Sequence, residues 1–209
     1  MVRVSVAAAL PLSLCPMTED ERIGRLTSIL EGTGAKAINA FGIWALDSQL
    51  ADHHMAQLAG WADLRYLVAG SCKITDASMG SICGFRNLTD LSIGGNTIFS
   101  TSLASSDLPP AIRSLGLYSI TLADDAVESL CRCHNLTVLN VNHCNLSRRA
   151  LTRLSDLPNL RVIEALGADS TPDTARILSR RHPKILFRLR DGLWQNGECR
   201  RPPFPGERA

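Results

Sequence analysis

The sequence predicts an α/β solenoid, with a parallel β-sheet along a concave face and short helices along the convex face. Three observations predict it. Similar stretches restart at Leu64, Leu88, Ile112, Leu136 and Leu160, at a constant interval and without an insertion, and a weaker copy starts one interval earlier at Ala40. A fixed period of this length marks a repeat architecture in which each unit stacks on the next. The first, fourth and sixth positions of a copy are apolar, as in Leu136, Leu139 and Val141, while the ninth is Cys72, Asn96 and Cys144 in three of them. The second half of a copy changes to helix-like spacing, as with Ile74, Met79, Ile82 and Phe85.

The pattern L-x-x-L-x-L-x-x-(C/N)-x-(I/L) resembles the leucine-rich repeat family. The segment Cys72-Lys73-Ile74-Thr75-Asp76 resembles the cysteine-containing variety of that repeat. The resemblance covers residues 40–184 and implies a horseshoe solenoid of about six repeats that serves as an interaction module. It also implies a likeness to the substrate receptors of ubiquitin ligases. Residues 1–39 are too few for an ordinary F-box, which sets that role behind a general scaffold or adaptor.

Each element has a local reason. Residues 1–39 read as an N-terminal cap: an apolar first strand in 1–17, then a helix over 18–31. Thr18 and Glu21 have the spacing of a capping box. Ile23, Leu26, Ile29 and Leu30 share one face, and Gly32 stops the helix. In the repeats, positions four and six of a strand point to one side and fill the core. A polar group at position nine bonds the turn backbone, which would otherwise be unpaired. Thr75, Ser147 and Thr171 sit where helix N-caps are wanted, and Asp52, Asp76 and Asp124 favour the helix dipole in the first turn. SSDLPPA in the Leu88 copy is a poor helix, so an irregular or 3₁₀ return is expected there. KILFRLR, 184–190, reads as a last edge strand whose arginines discourage further pairing. Residues 185–209 then combine that cap strand with a basic, Pro-rich tail, and Trp194 folds back on the last coil.

Composition bounds the function. The chain has 209 residues and is 45% hydrophobic with 5% aromatics. Leu, Ile and Ala therefore carry the core. The net charge of +2 hides nine Lys/Arg against three Asp/Glu in residues 176–209. No apolar run reaches the length of a membrane span. Residues 1–17 resemble a short targeting segment as well as a strand. Seven cysteines at mostly repeat-defined positions point to a reducing, cytoplasmic compartment. The sequons at Asn87, Asn135 and Asn145 and the apolar start keep an organellar or secreted location open. Two of the three sequons read as by-products of the N-L junction between copies.

Chemistry is sparse. Cys131, Cys133, His134, His143 and Cys144 look like a zinc cluster, but the repeat puts the strand 136–141 between the two halves. Cys144 as a nucleophile lacks an activating group. No phosphate loop, metalloprotease or hydrolase motif is present. No cofactor, no metal and no catalytic residue is expected.

Function is expected on the outward positions three, five and seven of the strands. The candidate partner-binding residues are Trp44, Leu46, Tyr66, Val68, Asp90, Ser92, Tyr118, Asn140, Asn142 and Glu164. The N-terminal part is an exposed apolar patch, the glycine-rich middle admits a partner's backbone, and the far end is polar. The basic end holds Arg180, Arg181, Lys184, Arg188, Arg190, Arg200 and Arg201 as a candidate contact for RNA or an acidic surface. That end supports the alternative of a structural subunit in a ribonucleoprotein or cytoskeletal assembly.

Overall fold

The structure is a computed structural model that describes residues 17–201. The expected first strand falls almost wholly before residue 17, and the end of the tail after 201, so both lie outside the described residues.

A helix, α1 Glu19–Leu30, and a short strand, β1 Lys36–Asn39, precede the coils. Seven strands among the described residues then run in parallel, one per coil: β2 Gly42–Trp44, β3 Tyr66–Val68, β4 Asp90–Ser92, β5 Ser114–Gly116, β6 Val138–Asn140, β7 Val162–Glu164 and β8 Leu186–Leu189. Each pairs with the next in a register of one full repeat, as in Leu67↔Leu91, Leu91↔Leu115 and Leu115↔Leu139. Position four is a column of fully buried side chains: Ile43, Leu67, Leu91, Leu115, Leu139, Ile163 and Phe187. Position six runs beside it as Ala45, Ala69, Ile93, Leu117, Val141, Ala165 and Leu189. The strict period exists because an insertion in a strand would slip one column out of the core.

The return path is helical in each repeat: α2 Asp52–Leu58, α3 Met79–Gly84, α4 Ser100–Ala104, α5 Asp124–Leu130, α6 Arg148–Ser155 and α7 Pro172–Arg181. The three expected caps are present. Thr75, Ser147 and Thr171 accept from the backbone N–H of Ala77, Ala150 and Thr174. The 3₁₀ turn lies at Asp76–Ser78, ahead of α3, and the SSDLPPA stretch of the Leu88 copy is irregular, one of the two forms expected of it. There α4 forms first, and the hydroxyls of Ser105 and Ser106 bond the carbonyls of Thr101 and Ser102 and end the helix before the prolines.

Asp52 and Asp76 do more than favour their own helix. Asp52 accepts from Thr75 N and Asp76 from Phe99 N, and Ser100 accepts from Ala123 N at the same repeat position. Each ties its coil to the next. Burial pushes the Asp52 carboxyl up, but hydrogen bonds from Ser78 and Thr75 outweigh it and hold the pKa below its ordinary value. The sequon residues Asn87 and Asn135 have a structural role of the same kind: their amides donate to Ala62 O and Pro110 O of the preceding coil.

Both ends are closed by hairpins that extend the sheet. α1 starts on the expected capping box: Thr18 N donates to Glu21 Oε2 at 2.8 Å, and Glu21 N to Thr18 Oγ1 at 3.3 Å. It buries Leu26 and Leu30, and Arg22 is bridged to Asp63. β1 then pairs antiparallel with β2, with a bulge between Ala37 and Asn39. At the other end β8 is not an edge, contrary to the reading of 184–190. β9 Gly192–Gln195 pairs antiparallel with β8, and β10 Glu198–Arg201 with β9. The reason is turn chemistry. Asn196 and Gly197 both have positive φ, 53° and 81°, as a two-residue hairpin turn requires. Trp194 folds back as expected and is only 8% exposed. None of the helices among the described residues is long and apolar enough to cross a membrane.

Candidate functional site: the concave face

Outward positions of β2–β8 form one surface. Six large apolar side chains are exposed among the described residues, and four of them gather at its N-terminal end: Ile38 (53%), Trp44 (50%), Leu46 (43%) and Tyr66 (40%). Trp44, Leu46 and Tyr66 are where the alternation of the strand puts them. Ile38 escapes the sequence pattern, because β1 does. It lies over Gly42, whose absent Cβ would stand 2.7 Å from Ile38 Cγ1. Val68 is half-buried and continues the patch. The other two exposed apolar residues, Phe99 and Ile177, belong to the convex return path.

The glycine-rich middle does not stand open for a partner's backbone. Tyr118 fills it. A Cβ on Gly70 would collide with the Tyr118 hydroxyl, and a Cβ on Gly94 would lie 2.6 Å from both Tyr118 Cγ and its backbone nitrogen. The ring therefore lies across two preceding coils, and its hydroxyl is 3.4 Å from Ser71 Oγ. Glycine at these two positions makes the trough that holds it, so Tyr118 is half-buried intramolecular packing as well as surface. Gly116 leaves room in the same way for Ser92, whose Oγ would be 2.8 Å from its Cβ.

The far end is polar and internally bonded. Asn142 Oδ1 accepts from Leu166 N at 2.8 Å, and its amide donates to Glu164 Oε2 at 3.3 Å. Asn140 Oδ1 accepts from Asn142 N. Arg188 Nη1 is 3.4 Å from Glu164 Oε1. Asp90, nearer the apolar end, accepts from Thr89 Oγ1 at 2.7 Å. Asn142 is thus a structural bridge between coils more than a free ligand.

Known proteins offer likenesses in sequence and in fold. An uncharacterised leucine-rich repeat-containing protein of Schizosaccharomyces pombe is 27% identical over 108 residues. The match covers 52% of this chain and 16% of that protein's length. No protein-family model matches. A crystal structure of an internalin from Listeria monocytogenes aligns at 13% identity over 83% of this chain and 69% of that one, with a TM-score of 0.40. The decisive observation is the unbroken one-repeat register of the parallel strands with the leucine columns behind it. The fold is the leucine-rich repeat solenoid.

In a leucine-rich repeat coil, the ninth position faces the turn, and that accounts for two of the thiols. Asn96 shows the full pattern: its amide donates to Ala69 O at 2.6 Å, and its Oδ1 accepts from Cys72 N and Ile74 N. Cys72 Sγ donates to Ala45 O at 2.6 Å and Cys144 Sγ to Leu117 O at 3.1 Å, each one coil back. Burial pushes the Cys133 and Cys144 thiols up to about 11 and raises Cys131 and Cys83 as well. A thiol held protonated is a poor nucleophile. β6 separates Cys131, Cys133 and His134 from His143 and Cys144, and no three potential metal ligands converge among the described residues. The cysteines of the described residues form no disulfide with one another.

The basic end of the leucine-rich repeat solenoid is divided between faces. Arg181 is paired with Asp156 at 3.0 Å on the convex side, whereas Arg188 meets Glu164 on the concave side. Arg180 packs its side chain over Gly197 in the β9–β10 turn, and Arg176 is paired with Asp173. Lys184, Arg190 and Arg200 are exposed, and Arg201 ends β10. The fold thus sets Arg181 and Arg188 on opposite faces, so these two do not share a patch.

Proposed function

We propose that the chain is a non-catalytic scaffold or adaptor that takes a protein partner on its concave face. One observation carries the reading: Ile38, Trp44, Leu46 and Tyr66 form an exposed apolar cluster at one end of a surface whose other end is polar. Large aromatic side chains clustered on a rigid face are the usual anchors of interfaces. The stacked coils supply that rigidity, since every outward side chain stands on a paired strand. The fold adds a likeness of kind, because repeat solenoids offer extended concave surfaces to their partners.

The test compares two double variants in affinity purification read by mass spectrometry. Trp44→Ser/Tyr66→Ser removes the anchors, each worth about thirtyfold in affinity. Phe99→Ser/Ile177→Ser removes as much apolar surface from the convex side. Circular dichroism confirms that both remain folded. Partner capture is lost in the first and kept in the second. Capture that survives Trp44→Ser/Tyr66→Ser overturns the proposal. Tyr118 is the poorer probe, because its loss also empties the trough over Gly70 and Gly94.

A further inference from the structure

A row of arginines runs beside the concave face. Arg65, Arg113 and Arg161 all occupy position two of their coils, just before β3, β5 and β7. All three are exposed, and none has a carboxylate within 4.0 Å among the described residues. Their backbones are locked in one ladder with the intervening coils: Arg113 N donates to Thr89 O, and Arg161 N to Thr137 O, both at 2.8 Å. Between them, Thr89 N donates to Arg65 O, and Thr137 turns its hydroxyl back onto Arg113 O. Arg65 is further steadied over the Phe41 ring, 5.0 Å from its centroid. Arg132 and His134 lie on the same side of the coils. They line a cleft of about 350 Å³ against Ser106, Asp107 and Pro110. The three arginine side chains are thus exposed to a partner and spaced by the fold, with Arg65 beside the Tyr66 anchor.

We infer that this rim binds an extended acidic segment of the protein partner, running along the solenoid axis across the coils. The inference rests on the concave-face reading and gives the partner its chemistry. Adjacent coils are about 4.8 Å apart, so arginines on alternate coils stand about 10 Å apart. Three residues of a chain in the extended polyproline II conformation also span about 9 Å and complete one turn. With three residues to the turn, a carboxylate at every third residue stays on one face and meets an arginine, and Arg65 to Arg161 takes about six residues. Arginine suits the role because its fork grips a carboxylate with two parallel hydrogen bonds. A nucleic acid fits less well, because the sequence pI of 8.2 is below that of a typical phosphate-binding domain. The acidic segment approaches over the rim, and its apolar flank reaches Tyr66 and Trp44.

Fluorescence anisotropy with a labelled peptide carrying glutamate at every third residue tests this on the full chain. Arg65→Gln/Arg113→Gln/Arg161→Gln weakens binding about tenfold or more, as the loss of three charge pairs requires. The same three sites changed to Lys keep the charge without the fork and lose less affinity than the Gln variant, which separates charge from folding. Arg148→Gln/Arg149→Gln/Arg176→Gln on the convex helices has little effect. Unchanged affinity in the rim variant, or equal loss in the convex one, overturns the inference. So does an oligouridine that binds more tightly than the peptide and depends on the same three arginines. Failure here with Tyr66-dependent capture intact removes the acidic rim alone. Failure of the Tyr66 test with the rim effect intact removes the concave-face reading alone.

Discussion

At the scale of single residues, side chains of this chain mostly serve the contact between one coil and the next. Gly94 is a clear case. It is not glycine for a special backbone angle but for space, because Tyr118 lies where its Cβ would be. Gly94→Ala must displace a ring and a backbone nitrogen, so it destabilises the fold by about 1–3 kcal/mol. Gly80 in α3 has nothing within 4 Å of its Cβ. Gly80→Ala stabilises by about 0.5–1 kcal/mol, and chemical denaturation of the two variants shows opposite signs. The thiols give a second test. Cys133 and Cys144 are raised to about 11 in the folded protein, above the unfolded value of about 8.5. The unfolded chain therefore loses these protons first as pH rises. Their contribution to stability is complete below about pH 8.5 and declines as pH climbs toward 11. Cys144→Ala, measured by urea denaturation between those values, shows a shallower decline than the unsubstituted protein. An identical slope would contradict the assignment.

At the scale of elements, the repeat is legible in the sequence and the ends are not. The coil period, the strand positions and the inward columns all follow from apolar spacing, since any slip would turn leucines outward. Thr18, Thr75, Ser147 and Thr171 are legible as caps for the same local reason. The closing hairpins escape because they break the period. Asn196-Gly197 is a strong hairpin signal, but it sits in a polar stretch that reads as tail. β1 has only four residues and a bulge, and nothing before Gly42 announces it. These short strands nevertheless cover the terminal coils. Trp194 on β9 is packed against the core. Trp194→Ala costs about 3–5 kcal/mol, which thermal unfolding would show as a lowered midpoint. A change no larger than about 0.5 kcal/mol, the range of an ordinary surface substitution, would mean that the hairpin is ornamental.

At the scale of the whole molecule, one sheet of ten strands among the described residues runs from cap to cap, and function is read along its concave side. The outward row is legible from strand alternation, including Trp44, Leu46 and Tyr66. Three parts of the site depend on the third dimension. Tyr118 reaches back two coils over glycines that look like open space in the sequence. Ile38 joins the patch from a strand outside the repeat. The basic run after residue 176 puts Arg181 on the convex side and Arg188 on the concave side, while Arg65, Arg113 and Arg161 recur at every second repeat and fall into line. Site-specific photo-crosslinking tests most directly whether the apolar end of the concave face is the interface. The reactive group is placed at Tyr66 or, as a control, at Arg149 on α6. A partner adduct that forms from position 66 and not from position 149 is the predicted result. An adduct from position 149 alone would contradict it.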